Sequence, residues 1–404
     1  MRRTGVTADK PTVVAVGLFI PGNSFTRVFE SLFDKLSASF TIHWLGIAYK
    51  GEKKSEKNYT LHPCNITGGD MYGAYGAAAL ATEFAAAAIL LINDFYLLKN
   101  YEPAWKPLKE NGTRLLAYVP LDGEITDISI VQDSFFLDEL VLYNQWALDE
   151  VTHAVEKYRN REPVTTTPRL SFIYHGVDRK AFHPLGDDRE KSLLKQKLFP
   201  AGEAAESIFI LNANRYNERK DLATTLKAFA KAVPLFERPA YLCLHTPNLK
   251  PGQEEELETL ITESGCRERI FLNPMGNEYV DDCRLVKLFQ ACAIGINTSL
   301  GEGWGMISFE HAACGAAQLV PGHTAQPELW EGAGIIIGKK RAAKLSTNPF
   351  QMYQVNEDDA AAGLVKLVNE EKYLAAVSAR CYEHATGKRY SWEQVSGRWK
   401  KILG

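Results

Sequence analysis

The sequence predicts an α/β protein made of two doubly wound domains. Three observations carry this. Short apolar runs such as Val13 to Phe19 and Ala88 to Ile92 lack alternation, as expected of parallel strands covered on both faces. Amphipathic helical stretches separate such runs. The alternation stops in a polar, charged segment from Pro184 to Glu206, then begins again. A length of 404 residues suits two or three domains, and 46% hydrophobic residues is ample for their cores.

The first series opens with the strand Val13 to Phe19. The eight apolar residues from Val13 to Ile20, after M-R-R-T-G and Pro11, read as this first strand in preference to a signal peptide. The strand ends in Gly17-Leu-Phe-Ile-Pro21-Gly22-Asn23-Ser24, a compact loop at the carboxyl end, where open α/β sheets bind ligands. Ser24 is placed to cap a helix whose Phe25, Val28, Phe29, Leu32, Phe33 and Leu36 form one stripe. Arg27, Glu30, Asp34 and Lys35 are assigned to its solvated face.

Further strands are expected at Phe40 to Leu45, Ile89 to Ile92, Arg114 to Val119, Leu140 to Tyr143 and Ser171 to Tyr174, with a helix at Trp146 to Tyr158. Ala77 to Ile92 is the most apolar stretch, but Glu83 interrupts it. It reads as an alanine-rich helix running into a strand, not a membrane span. Gly68 to Gly76 is a linker or part of an acceptor site. Lys50 to Lys57, mixed in sign, is a solvated loop. Asn93-Asp94 and Pro120-Leu-Asp122-Gly-Glu124 put acidic groups at two neighbouring strand ends, as turn formers or site groups. His175 is a ligand contact or a histidine packed at a strand end.

The second series runs strand Ile208 to Asn212, helix Asp221 to Val233, strand Ala240 to His245, helix Glu254 to Ser264, strand Ile270 to Leu272, helix Asp281 to Cys292 and strands Ala293 to Ile296 and Gln318 to Val320. A final helix, Trp392 to Leu403, puts Trp392, Val395, Trp399 and Ile402 on one side.

A net charge of -3 excludes a global basic field for nucleic acid or anionic membrane. Seven scattered cysteines, none in a C-x-x-C pair, argue for a reducing, cytoplasmic compartment and against a disulfide framework or zinc site. No D-x-D triplet occurs, so metal-bridged phosphates are not indicated.

Two constellations carry chemistry. In N-T-S-L-G-E-G-W-G-M-I-S-F-E-H-A-A-C-G, from Asn297 to Gly315, a strand leads through three glycines into a helix. Free N–H groups at a helix start favour an anion. Glu302 in the loop and Glu310 on the helix can only accept hydrogen bonds when ionised, which suits hydroxyl groups. N–H groups for phosphate plus carboxylates for hydroxyls describe a nucleotide-sugar pocket; the alternative is a capped structural helix. In Asn214-Arg215-Tyr-Asn-Glu-Arg219-Lys220-Asp221, Arg215 and Lys220 flank a turn at a strand end and Asp221 is placed to cap the next helix. Such cations stabilise charge growing on a diphosphate leaving group. A solvated basic turn is the competing reading.

These stretches resemble the retaining glycosyltransferases of family 4, which have the GT-B fold. The resemblance rests on G-L-F-I-P-G-N at 17–23, Y-H-G-V-D-R-K-A-F-H-P-L at 174–185, N-R-Y-N-E-R-K-D at 214–221 and the E-x7-E motif within 299–315, and spans nearly the whole chain. It implies an acceptor-binding domain at 1–185, a nucleotide-sugar domain at 186–385 and a C-terminal helix at 386–404 crossing back to the first, around a central cleft. Arg215 and Lys220 would hold the diphosphate and Glu302 the sugar hydroxyls. The N–H groups of Gly303, Trp304, Gly305, Met306 and Ile307 would position sugar and phosphate, with Glu310 on the ribose. Asn273, Pro274 and Met275 would meet the base. The loop of Gly17, Pro21, Gly22 and Asn23 would approach phosphate and acceptor. One departure is Pro120-Leu-Asp122, where many relatives carry histidine; Asp122 then takes the acceptor-side role.

The implied activity is metal-independent transfer of a hexose, with retention, from a nucleotide sugar to a hydroxyl acceptor. The co-substrate would be UDP- or GDP-linked, UDP-glucose by default, with no other cofactor. A nucleic-acid acceptor is not favoured. Acceptor and oligomeric state stay open. The rivals are a same-fold epimerase acting without acceptor, and a non-catalytic sugar-nucleotide scaffold.

Overall fold

Apolar runs without alternation become the buried centres of two sheets. A computed structural model describes residues 10–200 and 206–404. The opening M-R-R-T-G and residues 201–205 of the polar segment lie outside the described residues. The first sheet contains β1 (Thr12–Leu18), β2 (Thr41–Ile47), β3 (Lys54–Ser55), β4 (Thr60–Pro63), β5 (Ala88–Ile92), β6 (Arg114–Val119), β7 (Glu139–Leu142) and β8 (Arg169–Phe172). Its order is β3-β4-β2-β1-β5-β6-β7-β8, parallel except for β3 against β4. The short strands β3 and β4 fall in and after the charged Lys50 to Lys57 stretch, where mixed charge hides any strand pattern.

The second sheet contains β9 (Ile208–Asn212), β10 (Ala240–Leu244), β11 (Ile270–Leu272), β12 (Ile294–Ile296), β13 (Ala317–Pro321) and β14 (Ile335–Ile337). Its order is β11-β10-β9-β12-β13-β14, parallel throughout. With helices between the strands, this is the expected two-domain GT-B fold. Each sheet has a switch point, between β1 and β5 and between β9 and β12, where ligand crevices form in such folds.

Three local expectations are corrected. Asn23, not Ser24, caps the Ser24–Leu36 helix, its Oδ1 accepting from Phe25 N at 2.9 Å. Arg27 is not on a solvated face: the first turns of that helix meet the other half of the molecule, and Arg27 is drawn into the contact. In the Trp392–Leu403 helix, Leu403 is fully buried and Ile402 only partly, because Trp392, Ser396, Trp399 and Leu403 keep the helical period.

That last helix packs on the Ser24–Leu36 helix of the first half. Trp399 meets the Tyr118 ring with centroids 5.1 Å apart. A feature with no sequence expectation is the antiparallel hairpin β15 (Lys339–Ala343) and β16 (Met352–Val355). It reaches from the second half to the first. Phe350 is buried against the Phe95 and Tyr96 rings, and Gln351 exchanges two backbone hydrogen bonds with Glu124. No helix among the described residues is long and apolar enough to cross a membrane.

Candidate active site

The carboxyl ends of both sheets face one cavity of about 600 Å³. Loops after β1, β5, β6 and β7 line it from one side, and loops after β9, β10 and β12 from the other.

Glu302 forms its floor. The strand β12 leads into Asn297, whose Nδ2 donates to Glu302 Oε1 at 3.3 Å; Ser299 Oγ donates to the same oxygen at 3.0 Å. Lys220 Nζ pairs with Oε1, and Arg219 lies 3.5 Å from Oε2. Burial opposes ionisation of Glu302, but the Lys220 and Arg219 charges and these hydrogen bonds overcome it and hold the carboxyl at about 2. The group is a fixed carboxylate at neutral pH.

Above it, Gly305 adopts φ 85°, left-handed backbone that turns the loop into the Met306–Ala313 helix. Trp304, Gly305, Met306 and Ile307 line the cavity, and their N–H groups donate to no backbone or side-chain acceptor among the described residues. Gly303 departs from expectation. Its N–H donates to Asp122 Oδ1 at 3.0 Å, so it ties the two halves together and is not open to ligand. Gly301 serves the same contact: a Cβ there would fall on the Asp122 carbonyl.

The cations sort differently from the sequence expectation. Lys220 lines the cavity but is spent on Glu302. Arg219, unassigned from sequence, bridges Glu302, Asp122 at 3.5 Å and the Gly301 carbonyl at 2.5 Å. Nothing in the pattern separates Arg219 from its neighbour Lys220. Arg215 is exposed and makes no ion pair among the described residues, so it is the lining cation open to a phosphate. Asp221 caps the next helix through Thr224 N and Thr224 Oγ1, as expected.

Glu310 does not line the cavity. Arg27 covers it from the first half, pairing with Oε1 and lying 3.6 Å from Asp282; Oε2 is buried without a partner among the described residues. Asn273, Pro274 and Met275 do not line the cavity either; the turn beside them, at His245 and Pro247, does. Of the first loop, Gly22 and Asn23 line it, whereas Pro21 is exposed outside. Gly17 is a packing residue, a Cβ there meeting the Phe29 ring.

His175 lines the cavity and is packed as well. Its Nδ1 lies 2.8 Å from Tyr118 Oη, its ring lies 5.1 Å from Trp304, and burial pushes it down to about 3, hence neutral. On the same side, Asp94 accepts from Tyr96 Oη at 3.1 Å. Burial and the Asp122 charge raise Asp94 to about 6. Tyr143 Oη, buried in the cavity wall, has no partner among the described residues. Leu345, Thr347 and Asn348, in the loop between β15 and β16, roof this part. The sequence offered a signal for Asp94, an acid at a strand end; Tyr143 and the roof had none.

No protein-family model matches the chain, and no curated protein matches it. Its fold is shared with solved structures. Sucrose-phosphate synthase from Thermosynechococcus elongatus superposes with a TM-score of 0.71 at 14% identity, over 97% of this chain and 98% of that one. Trehalose 6-phosphate synthase from Burkholderia multivorans gives 0.70 at 12%, over 98% of each chain. The Anabaena protein HepE, in complex with UDP and glucose, gives 0.67 at 14%, over 97% of this chain and 99% of that one.

Proposed function

We propose that the protein is a retaining glycosyltransferase that moves a hexose from a nucleotide sugar, UDP-glucose by default, to a hydroxyl acceptor without a metal ion. The carrying observation is Glu302: a buried carboxylate kept ionised beside free helix N–H groups and the unpaired Arg215. It supports a donor lying with its sugar on Glu302 and its diphosphate between Arg215 and the helix start. Negative charge grows on the diphosphate as the sugar bond breaks, and fixed donors aimed there stabilise that state more than the ground state. The acceptor hydroxyl approaches from the side of Asp94 and Asp122. Attack on the same face as the departing diphosphate, which takes the hydroxyl proton, gives retention. The UDP and glucose in the HepE structure favour that donor.

The test is a thermal-shift panel of UDP, GDP, ADP and TDP with their common sugars. A ligand at about a hundred times its dissociation constant stabilises by roughly 2.7 kcal/mol, a shift of a few degrees. One base and one sugar should stand out. That donor then goes into an acceptor screen, with NMR reporting the anomer and diphosphate release separating transfer from epimerisation. A flat panel with folded protein overturns the reading.

A further inference from the structure

His245 stands at the carboxyl end of β10 and is 2% exposed, yet neither ring nitrogen has a hydrogen-bond partner among the described residues. Buried polar atoms are nearly always paired, so an unpaired pair of nitrogens calls for an explanation. His245 also lines the cavity. His323 also has two ring nitrogens without a partner among the described residues, but it does not line the cavity. Burial, with the Arg284 charge, pushes His245 down to about 4, so its imidazole is neutral and carries one donor and one acceptor.

Its place in the sheet says what it faces. Along the second sheet the neighbouring strands run β12, β9, β10. The loop after β12 carries Glu302, the loop after β9 carries Arg215 and Lys220, and β10 leads into His245. Carboxylate, cations, imidazole is the linear order of sugar, diphosphate and nucleoside. Beyond the imidazole the wall turns apolar, with Pro247, Val280 and Leu285.

Asn273 fixes this turn. Its backbone is left-handed, at φ 45°. Its Oδ1 accepts from Thr246 N at 2.7 Å and its Nδ2 donates to Thr246 O at 3.2 Å. The side chain thus clamps both backbone groups of the residue after His245.

We propose that His245 reads the nucleobase of the donor, and that Asn273 is a positioning residue for it. This rests on the nucleotide-sugar reading above and adds the residue that chooses the base. A base edge presents carbonyl acceptors and N–H donors that a neutral imidazole can match, and a site built on such bonds rejects a base that leaves them unmade.

The experiment is calorimetric titration of the wild type, His245→Leu and His245→Asn with UDP, GDP, ADP and inorganic pyrophosphate. Leucine keeps the volume and removes both nitrogens; asparagine keeps a donor and an acceptor should leucine fail to fold. The wild type should prefer one base at least tenfold. His245→Leu should lose about tenfold for that nucleotide, with the preference collapsed and pyrophosphate binding unchanged. Asn273→Ala should lose part of the preference in the wild type and nothing more in the His245→Leu background. A retained preference, a wild type indifferent to the base, or an equal loss for all ligands including pyrophosphate overturns the proposal and leaves the glycosyltransferase reading standing. A wild type that binds no nucleotide overturns both.

Discussion

Arg27 and Glu310 form a buried ion pair that joins the two halves of the molecule. Arg27 comes from the first helix of one half and Glu310 from the glycine-loop helix of the other. The pair also occupies the carboxylate that the family resemblance gives to the donor ribose.

Removing one partner of a buried pair strands the other charge. Arg27→Met should therefore lower stability by about 3 kcal/mol, and adding Glu310→Gln should restore most of it. Urea unfolding of the two variants checks this. Equal stability of the single and double variants would show that Glu310 is not held as a charge.

If the proposed donor site holds, Glu302→Gln and Lys220→Ala should each lower transfer at least about a hundredfold in folded protein, because each removes a charge that this reading puts beside the reacting centre. Steady-state rates with circular dichroism decide it. Near-normal turnover in both would remove Glu302 from the mechanism.

Phe350 anchors the hairpin roof in the first half. Phe350→Ala should cost about 3 kcal/mol or more. By loosening Leu345 to Asn348 it should raise the acceptor KM while leaving nucleotide affinity within about twofold. A loss confined to nucleotide binding would place the roof over the donor instead.

Burial lowers the proton affinity of His43, His62, His175, His245, His311, His323 and His384. A group depressed in the folded state loses its stability contribution as pH falls below its unfolded value. Unfolding stability should therefore decline from about pH 6.5 downward, by up to about 1.4 kcal/mol per pH unit for each histidine kept neutral. Denaturant melts at pH 7, 6 and 5 measure the slope. A flat profile across this window would mean that these rings take up protons while folded.

Most strands of both sheets were legible because continuous apolar strands and glycine turns are local signals; β3, β4 and β14 were not. Glu302, Arg215 and the Gly305 turn were legible for the same reason, since each motif lies within one strand, loop and helix. Apart from the C-terminal helix, which the resemblance implied, what joins one half to the other was not. Arg27 looks like any helix-surface arginine until Glu310, 283 residues on, comes to meet it. Gly303 reads as a free anion-binding glycine until Asp122 takes its N–H. The β15–β16 hairpin is mixed in charge, and only Glu124 and the Phe95 and Tyr96 rings give Phe350 its place.

The Trp392–Leu403 helix closes the chain against the half in which the chain began, with Trp399 on Tyr118. Neither half is then a separable fragment. A piece cut in the polar segment would take the Trp399 ring from Tyr118 in the first part and leave an amphipathic helix without a seat in the second. The same packing makes the protein suited to split reconstitution. Two co-expressed pieces divided there should find each other, the last helix serving as the plug and the first sheet as its socket.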